Sequence, residues 1–472
     1  MTDAAYYDVL PREEYREPEA GRSFGSELTV LALIWTPWLL LAGVGYLAGY
    51  LYVSGLALVI AAVIHALVRP RVAVYALAMA ICLYWVFEFF PGRISSSAKL
   101  VGVLAVAVNL PKLIAAVVGH RKDPAAIWVI VMVVWTLVQA PVALSVMRSL
   151  EGVTSVAFIY GVPVLLCVSF RDRRSLRMLL FVLVLAGLAS TVAMLTTPGA
   201  REALAGGARV EASSAAGMEI NANEMAPIMG VCIFSCGYFI VLARGVFLRL
   251  AVAASALGIA AGFVVTKSRG AYLAFPLSVM GAILFLKGAG LKKRVMVVVI
   301  SLAAALTGAV VGHYAGLWQA GIIERFQSIF EGGAGSGERY AAWRGYFTEF
   351  YRSGFIGRGI TQGGYAGAVR EYVGYDMAAH NSIVQIAGDL GLVGLVCFFG
   401  LHIHLFRRIR RVTEIWPQFF LLCYLIFIVL AGMTHTNYLS KYYGLTLGVI
   451  FVVLRIDEAR REAAYPPAAA EP

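Results

Sequence analysis

The chain has 472 residues, of which 60% are hydrophobic and 14% are charged, whereas ordinary soluble domains have about 45–50% apolar and about 25% charged residues. This composition excludes a water-soluble globular protein and predicts an all-α polytopic membrane protein. The net charge of +12 comes from small basic clusters between apolar runs, which membrane topology explains better than nucleic-acid binding. We therefore expect membrane lipids as partners and no nucleic acid.

The first 27 residues are acidic and lack the basic start of a signal peptide, so we interpret them as a cytoplasmic tail. The apolar run at 28–68 contains no Lys, Arg, Asp or Glu, and it is about twice the roughly 20 residues that one crossing needs. Applied onward, this length rule predicts about 12–14 transmembrane helices, with spans that include 28–46, 50–68, 125–147 and 295–312. The predicted organisation is a tail at 1–27, about eleven helices at 28–312, a long loop at 313–380, about three helices at 381–455 and a cytoplasmic tail at 456–472.

Basic clusters recur in alternate predicted loops, among them 171–177 and 407–411. Because Lys and Arg in short loops are retained on the cytoplasmic side, these loops and both termini are expected to face the cytoplasm. The long loop 313–380 then lies on the external side, together with the turn at 267–270 and a loop at about 198–224. These external segments contain the candidate functional residues.

The long external loop is predicted to fold, because it is rich in Trp and Tyr, whereas disordered segments are poor in aromatic residues. Within 338–352, aromatic residues recur at intervals of three to four, which predicts an amphipathic helix. The residues that form this pattern are Tyr340, Trp343, Tyr346, Phe347 and Phe350. Glycine-rich stretches flank the helix at 332–337 and 354–367, and the second permits close backbone approach.

Three external arginines are candidates for binding an anion. Arg269 lies in a Ser-Arg-Gly turn between two apolar runs, where a charged side chain is a functional hypothesis and a guanidinium suits phosphate. Arg339 and Arg344 lie five residues apart on the predicted helix, so they point in different directions and at most one is expected to face Arg269. Arg339 lies near the helix start, where backbone N–H groups favour anions, but Arg344 remains an alternative. Each arginine also has a structural alternative. Arg269 could contact lipid headgroups, and Arg339 and Arg344 could form solvated ion pairs with Glu338 and Glu349.

His380 lies where the long loop re-enters the membrane, and imidazole is the side chain most easily tuned to accept a hydroxyl proton near neutral pH. A helix cap or a packing role is the alternative. His435 is a second external candidate, and Asn223 lies in a polar stretch that could cap a helix or bind a sugar. Asp389, an acid well inside a predicted span, is expected to orient a neighbour or line a polar interior. The sequence contains no spacing typical of a divalent-metal site, so we expect neither a metal nor a cofactor.

The pair His380-Asn381 is followed after nine residues by Gly391 and after two more by Gly394. This spacing resembles the signature of the bacterial O-antigen ligase family, which includes O-antigen polymerases and pilin oligosaccharyltransferases. Further features occur in similar order in that family, namely the Asn223 loop, the Arg269 turn, the Arg339 to Trp343 spacing, and Gly357 with Gly359. The resemblance covers about residues 219–400.

The resemblance implies a membrane-embedded C-type glycosyltransferase that needs no metal. Such an enzyme moves a glycan, with inversion, from an undecaprenyl diphosphate carrier to a hydroxyl acceptor, such as lipid A core or a growing polysaccharide. The reaction takes place at the periplasmic face of the bacterial inner membrane. By the same resemblance, His380 is the general base on the acceptor hydroxyl, while Arg269 and Arg339 stabilise the leaving diphosphate. Four further residues are predicted to bind substrate: Asn223, Trp343, Arg344 and Asn381.

Two alternatives to a ligase remain. An O-antigen or exopolysaccharide polymerase of the same family is one, because the predicted helix count exceeds the twelve usual for ligases. A lipid-linked glycan flippase or another transporter is the second. Transporters place their sites near the bilayer midplane in broken helices, whereas the candidate residues here cluster on one side.

Overall fold

The structure is a computed structural model that describes residues 69–83, 97–120, 124–143, 145–196, 212–213, 219–220, 222–287, 290, 292, 295, 299, 336–360, 368–375 and 377–464. The predicted tail 1–27, the predicted spans at 28–46 and 50–68, and the first part of the long loop lie outside the described residues. So does nearly all of the span predicted at 295–312. The number of membrane crossings therefore stays a prediction.

The described residues are mainly helical. In chain order the helices are α1 (Pro70–Cys82), α2 (Ser97–His120), α3 (Pro124–Gln139), α4 (Val146–Ser169), α5 (Arg173–Thr196), α6 (Ala222–Leu242), α7 (Val246–Val265), α8 (Arg269–Phe285), α9 (Ser336–Arg352), α10 (Ala368–Val373), α11 (Ser382–Ile409), α12 (Ile415–Gly432) and α13 (Lys441–Ala464). Between α5 and α6, the two-residue strands β1 (Ala212–Ser213) and β2 (Glu219–Ile220) pair antiparallel. Short 3-10 turns occur at Ala140–Val142 and Asn437–Leu439.

Six of the described helices, α4 to α7, α11 and α12, are long and apolar enough to cross a membrane. The apolar runs in α1, α2, α3 and α8 are shorter. Because a helix satisfies its own backbone hydrogen bonds, such segments are the expected way for a chain of this composition to cross a bilayer. The prediction of an all-α polytopic membrane protein is confirmed.

Two predicted boundaries differ from the structure, at the ends of α3 and α13. The span predicted at 125–147 ends at Gln139, and a 3-10 turn containing Pro141 follows it, because proline cannot continue the hydrogen-bond ladder. By contrast, α2 continues through Pro111, and the buried Asn109 amide donates within the bundle to the carbonyl oxygens of Ala105 at 2.9 Å and Pro70 at 3.2 Å. Helix α13 extends to Ala464, beyond the predicted end of the membrane domain at 455.

The core of the bundle is built from closely packed helices, including α4 against α13, α8 against α12, and α6 against both α5 and α7. Aromatic rings fill the interior where α6, α8 and α12 meet. Phe234 stacks on Phe275 with ring centroids 4.5 Å apart, and Phe427 contacts Phe234 edge-on at 5.6 Å. This packing holds the start of α8 beside the end of α12, which is where the candidate residues lie.

Helices α9 and α10 form a small subdomain on α11 with its own apolar core. The buried residues of this core are Ala342, Tyr346, Val369, Ala379 and Val384. The predicted helix in the long loop is confirmed as α9, but the interpretation of its apolar face needs correction. Tyr340 and Phe347 are exposed, because the buried face turns Ala342 and Tyr346 toward α10 and α11 instead.

Helix α11 is interrupted at Gly391, whose φ of 64° and ψ of −156° are not helical. The backbone at Phe355 and Ile356 passes so close that a Cβ at Gly391 would collide with it, so the position requires glycine. Three carbonyl groups before the break find other donors: Arg358 N–H donates to Gly388 at 3.0 Å, Gly359 N–H to Asp389 at 2.9 Å, and the Trp135 indole to Leu390 at 2.8 Å. The end of the long loop is thereby fastened to the middle of α11.

Asp389 is fully buried next to this break. The hydroxyl group of Tyr438 donates to its Oδ2 at 2.5 Å. Tyr438 lies in the segment between α12 and α13, so this bond joins that segment to α11. A buried carboxylate requires such a partner, and orientation of a neighbour is the role that the sequence suggested.

Candidate functional site

The first part of the site is the turn that precedes α8. Thr266, Lys267 and Ser268 are buried there, and Lys267 adopts a left-handed φ of 48°. Arg269 is the first residue of α8 and is half-buried. The next residue, Gly270, lies so close to Thr434 that a Cβ would overlap the threonine side chain. The turn that precedes Arg269 is therefore packed against the segment that follows α12, and this packing fixes the backbone from which the Arg269 side chain extends.

The second part is the loop that carries His380 into α11. Trp343 on α9 donates its indole N–H to the carbonyl oxygen of Ala379 at 2.7 Å. Asn381 caps α11, since its Oδ1 accepts hydrogen bonds from the N–H groups of Ile383 at 2.9 Å and Val384 at 3.1 Å. Between these two fixed neighbours, His380 adopts a left-handed φ of 48°. This conformation is uncommon for a residue other than glycine and is found preferentially at functional sites.

The third part is the segment 433–438 between α12 and α13, which is tied to α11 by side-chain hydrogen bonds. Asn381 Nδ2 donates to the carbonyl oxygen of Met433 at 3.1 Å, and the Ser382 hydroxyl donates to that of His435 at 3.1 Å. These bonds bring the two imidazoles together, with the ring centroids of His380 and His435 6.1 Å apart. His435 is buried, and its neighbour Thr436 donates to Gln385 Oε1 at 3.0 Å.

Electrostatics links the three parts. Partial burial and the positive charge of Arg269 both lower the pKa of Arg339, at the start of α9. Burial, then the charges of His435 and Arg339, lower the pKa of His380 to about 4. Burial likewise lowers the pKa of His435, while the carboxylate of Glu224 acts in the opposite direction. Arg339 thus interacts with Arg269, His380 and His435, and Glu224 interacts with His435.

The remaining predicted substrate-binding residues have other positions. The Arg344 guanidinium lies 5.1 Å from the ring centroid of Tyr372. By contrast, the charge of Arg339 interacts with Arg269 and His380. The amide of Asn381 and the indole N–H of Trp343 hold the His380 loop, as described above. Asn223 is half-buried in the first turn of α6, next to Glu224.

Sequence reasoning gave His435 only second rank and did not single out Glu224. His435 follows His380 by 55 residues, so its position beside that ring results from the packing of α12 against α11. The available signal was its location at the same predicted external side. The only sequence signal for Glu224 was its position in a polar stretch before an apolar run.

In chemical terms, the site combines two interacting guanidinium groups, Arg269 and Arg339, which suit an anion such as phosphate, with the half-buried imidazole of His380, which the charge of Arg339 reaches. An imidazole with a pKa of about 4 is neutral near pH 7 and able to accept a proton. The three residues come from the start of α8, the start of α9 and the loop before α11. All three lie within residues 253–399, which match the family model described as O-antigen ligase.

Residues 253–399 are similar to the O-antigen ligase domain that this family model describes. The match covers roughly a third of the 472 residues, and it confirms the resemblance that the His380-Asn381 motif indicated. The O-antigen ligase domain includes α8, α9, α10 and most of α7 and α11, whereas Glu224 and His435 lie outside the matched range. Members of the family are ligases and polymerases of the glycosyltransferase type, which supports an enzymatic function in a multi-pass membrane protein. No curated protein sequence matches the chain.

Proposed function

We propose that this O-antigen ligase-family protein is an inverting, metal-independent glycosyltransferase of the bacterial inner membrane. In this proposal it transfers a glycan from undecaprenyl diphosphate to a hydroxyl acceptor at the periplasmic face. The observation that carries the proposal is the convergence of Arg269, Arg339 and His380 from three separate elements on one site. The family match supports the reaction class, and the choice of donor and acceptor is our inference.

The two arginines are assigned to the diphosphate of the donor. Their positive charges act on one another in the site without substrate, as the lowered pKa of Arg339 indicates. A diphosphate between them replaces this repulsion by two charge-assisted contacts, and guanidinium groups suit phosphate oxygens. The same contacts stabilise the negative charge that develops on the leaving diphosphate, and one such donor is worth about 3–4 kcal/mol.

His380 is assigned as the general base. Its imidazole takes the proton from the acceptor hydroxyl while that oxygen forms a bond to the anomeric carbon. The bond between this carbon and the diphosphate oxygen breaks, and its electron pair leaves with the diphosphate. Attack from the side opposite the leaving group inverts the anomeric configuration.

Donor binding also changes the strength of this base. Part of the reason for the pKa of about 4 is the nearby charge of Arg339, and a bound diphosphate offsets that charge. The pKa of His380 then rises toward the working pH, where a general base is most effective. Base strength is thereby coupled to the presence of the donor.

His435 and Glu224 complete the proposed site. The imidazole of His435 lies 6.1 Å from that of His380, centroid to centroid, a separation that one water molecule can bridge. The carboxylate of Glu224 favours the protonated form of His435. We therefore assign His435 as the residue that takes over the proton from His380 after transfer, with Glu224 stabilising the resulting charge.

A ligase is our preferred assignment, and an O-antigen or exopolysaccharide polymerase is the second candidate within the family. The two differ in the acceptor, which is a lipid A core in the first and a growing lipid-linked glycan in the second. A lipid-linked glycan flippase or transporter is a candidate of another class. It is disfavoured because the charged groups described here gather at one end of the helices and not along a path through them.

The test compares glycan transfer in membranes containing the wild-type protein with that in membranes containing His380→Ala, Arg269→Gln or Arg339→Gln. Arg344→Gln is the matched control, because it removes the same charge from the same helix away from His380. We expect the three site variants, at normal protein level, to accumulate lipid-linked glycan and to lose the transferred product. The missing product distinguishes a ligase from a polymerase, and unchanged transfer in His380→Ala would overturn the assignment.

A further inference from the structure

An exposed apolar group lies at the end of α9 and in the turn that follows it. Tyr351, Phe355 and Ile356, here called the apolar wedge, are 66%, 49% and 50% exposed. The rings of Tyr351 and Phe355 contact each other edge-on at 5.5 Å, and Phe350 supports Phe355 from behind at 5.0 Å. These side chains form one contiguous apolar surface.

The backbone of the wedge is held in an unfavourable conformation. Phe355 has a φ of 68°, directly after Gly354 with a φ of 63°. A left-handed conformation is a genuine outlier for a bulky aromatic residue, and it persists only where the surroundings compensate for its cost. Here the strained turn leaves a large apolar ring half exposed.

The wedge is also fixed in position. The N–H group of Leu392, just after the break in α11, donates to the carbonyl oxygen of Phe355 at 2.8 Å. The side-chain amide of Gln139 at the end of α3 donates to the carbonyl oxygen of Ile356. Two helices therefore set the height of the wedge relative to the bundle.

That height falls within the thickness of a bilayer. From Leu392 to the basic end of α11 at Arg407, fifteen residues at a rise of ~1.5 Å each cover about 22 Å. The hydrocarbon layer is about 30 Å thick, and basic residues at a helix end lie at its boundary. Phe355, which is bonded to Leu392, therefore lies level with the opposite, outer part of this layer.

The exposed surface of α11 continues from the wedge without interruption. Leu392 and Val396 are 55% and 51% exposed. Phe399 and Ile403 follow on the same face at helical spacing and are also exposed. Such a stripe on a membrane-crossing helix faces acyl chains, and the wedge is its upper end.

We propose that the apolar wedge inserts among the lipids of the outer leaflet, with acyl chains and the glycerol region as its partner. Aromatic side chains are enriched at this level of a bilayer, where their rings find an apolar environment. Insertion anchors the end of α9 in the membrane, so that the helix carrying Arg339 is held at a fixed height above the lipid surface. This inference does not depend on the reaction proposed above.

The test places an environment-sensitive NBD probe on the full-length protein by way of Phe355→Cys. The protein is reconstituted in phosphatidylcholine and phosphatidylglycerol vesicles, with or without brominated acyl chains. Tyr375→Cys is the matched control, because Tyr375 is an aromatic residue of the same subdomain with an equal exposure of 49%. The wild-type chain, labelled in parallel, gives the background from native cysteines.

We expect brominated lipid to quench the probe at 355 and leave the probe at 375 unaffected, while iodide in the buffer does the reverse. Iodide quenching at 355 equal to that at 375 would mean that the wedge faces water and would overturn the proposal. Protection of 355 from both quenchers would mean that protein covers it, which also overturns the proposal. Should Phe355→Cys fail to fold, Tyr351→Cys carries the same test at a helical position without backbone strain.

Discussion

At the scale of single residues, Arg339 and Arg344 have different surroundings although they share one helix. Replacing Arg339 by Gln removes a charge that lowers the pKa of His380, so this pKa is expected to rise from about 4 toward its ordinary value. Because the variant also removes the proposed contact to the leaving diphosphate, transfer is expected to fall about 100- to 1000-fold. Rates measured between about pH 5 and pH 8 report both effects. Arg344→Gln should change neither quantity, and equal losses in the two variants would contradict our assignment.

His435 gives a second prediction at this scale. Burial is the largest cause of the low pKa of His380, and the charge of His435 is the second largest. His435→Gln is therefore expected to raise this pKa and to move the acid limb of the rate profile to higher pH. The rate should fall by less than the ~100-fold or more that loss of a general base costs. A residue with a merely structural role would lower the rate at every pH and leave the position of the limb unchanged. The measurement is the pH dependence of transfer at matched protein levels.

At the scale of elements, the break in α11 is the feature on which the His380 loop and the end of α9 both depend. Gly391→Ala forces a side chain into a left-handed conformation and into the backbone at Ile356, so we expect a loss of roughly 2–4 kcal/mol in unfolding free energy. Gly161→Ala in α4 is the control, since a Cβ there has no neighbour within 4 Å and should be neutral or stabilising by up to about 1 kcal/mol. Thermal unfolding in detergent compares the two, and similar midpoints would refute the role of Gly391.

The helices also show how much of the fold could be predicted from the sequence. Apolar runs of bilayer length identified the described helices other than α9 and α10, because the membrane requires such runs whatever the tertiary structure. The exposure of Tyr340 and the burial of Ala342 on α9 could not be predicted, since the partners of that helix, α10 and α11, are set by packing. For the same reason, the spacing of Arg339 and Arg344 showed that they diverge but left open which of them approaches Arg269.

The candidate site was predictable only in part. His380 and Arg269 were visible because polar residues at the ends of apolar runs stand out against their surroundings. His435 beside His380 was not, because this contact depends on hydrogen bonds from Asn381 and Ser382 to the segment after α12. The left-handed φ at Phe355 likewise has no signature in the sequence, since a bulky aromatic residue does not favour it.

At the scale of the whole molecule, the half-buried imidazole of His380 and the buried imidazole of His435 couple folding to pH. The folded state holds the pKa of His380 at about 4, below its ordinary value of 6.5, and the pKa of His435 is lowered as well. Between these values the unfolded chain binds more protons than the folded one, so stability rises with pH in this range. The contribution is fully present above about pH 6.5 and is lost as pH falls toward 4.

The thermal midpoint of the purified protein should therefore decrease between pH 6.5 and pH 4. The variant that combines His380→Gln with His435→Gln should show a shallower decrease, because glutamine has no proton to gain. His404→Gln is the control, since that histidine lies at the far end of α11, away from His380 and His435, and it should retain the slope of the wild-type protein. A slope equal in all three proteins would mean that folding does not withdraw these two imidazoles from water as the structure shows. The geometry on which the proposed site rests would then be wrong.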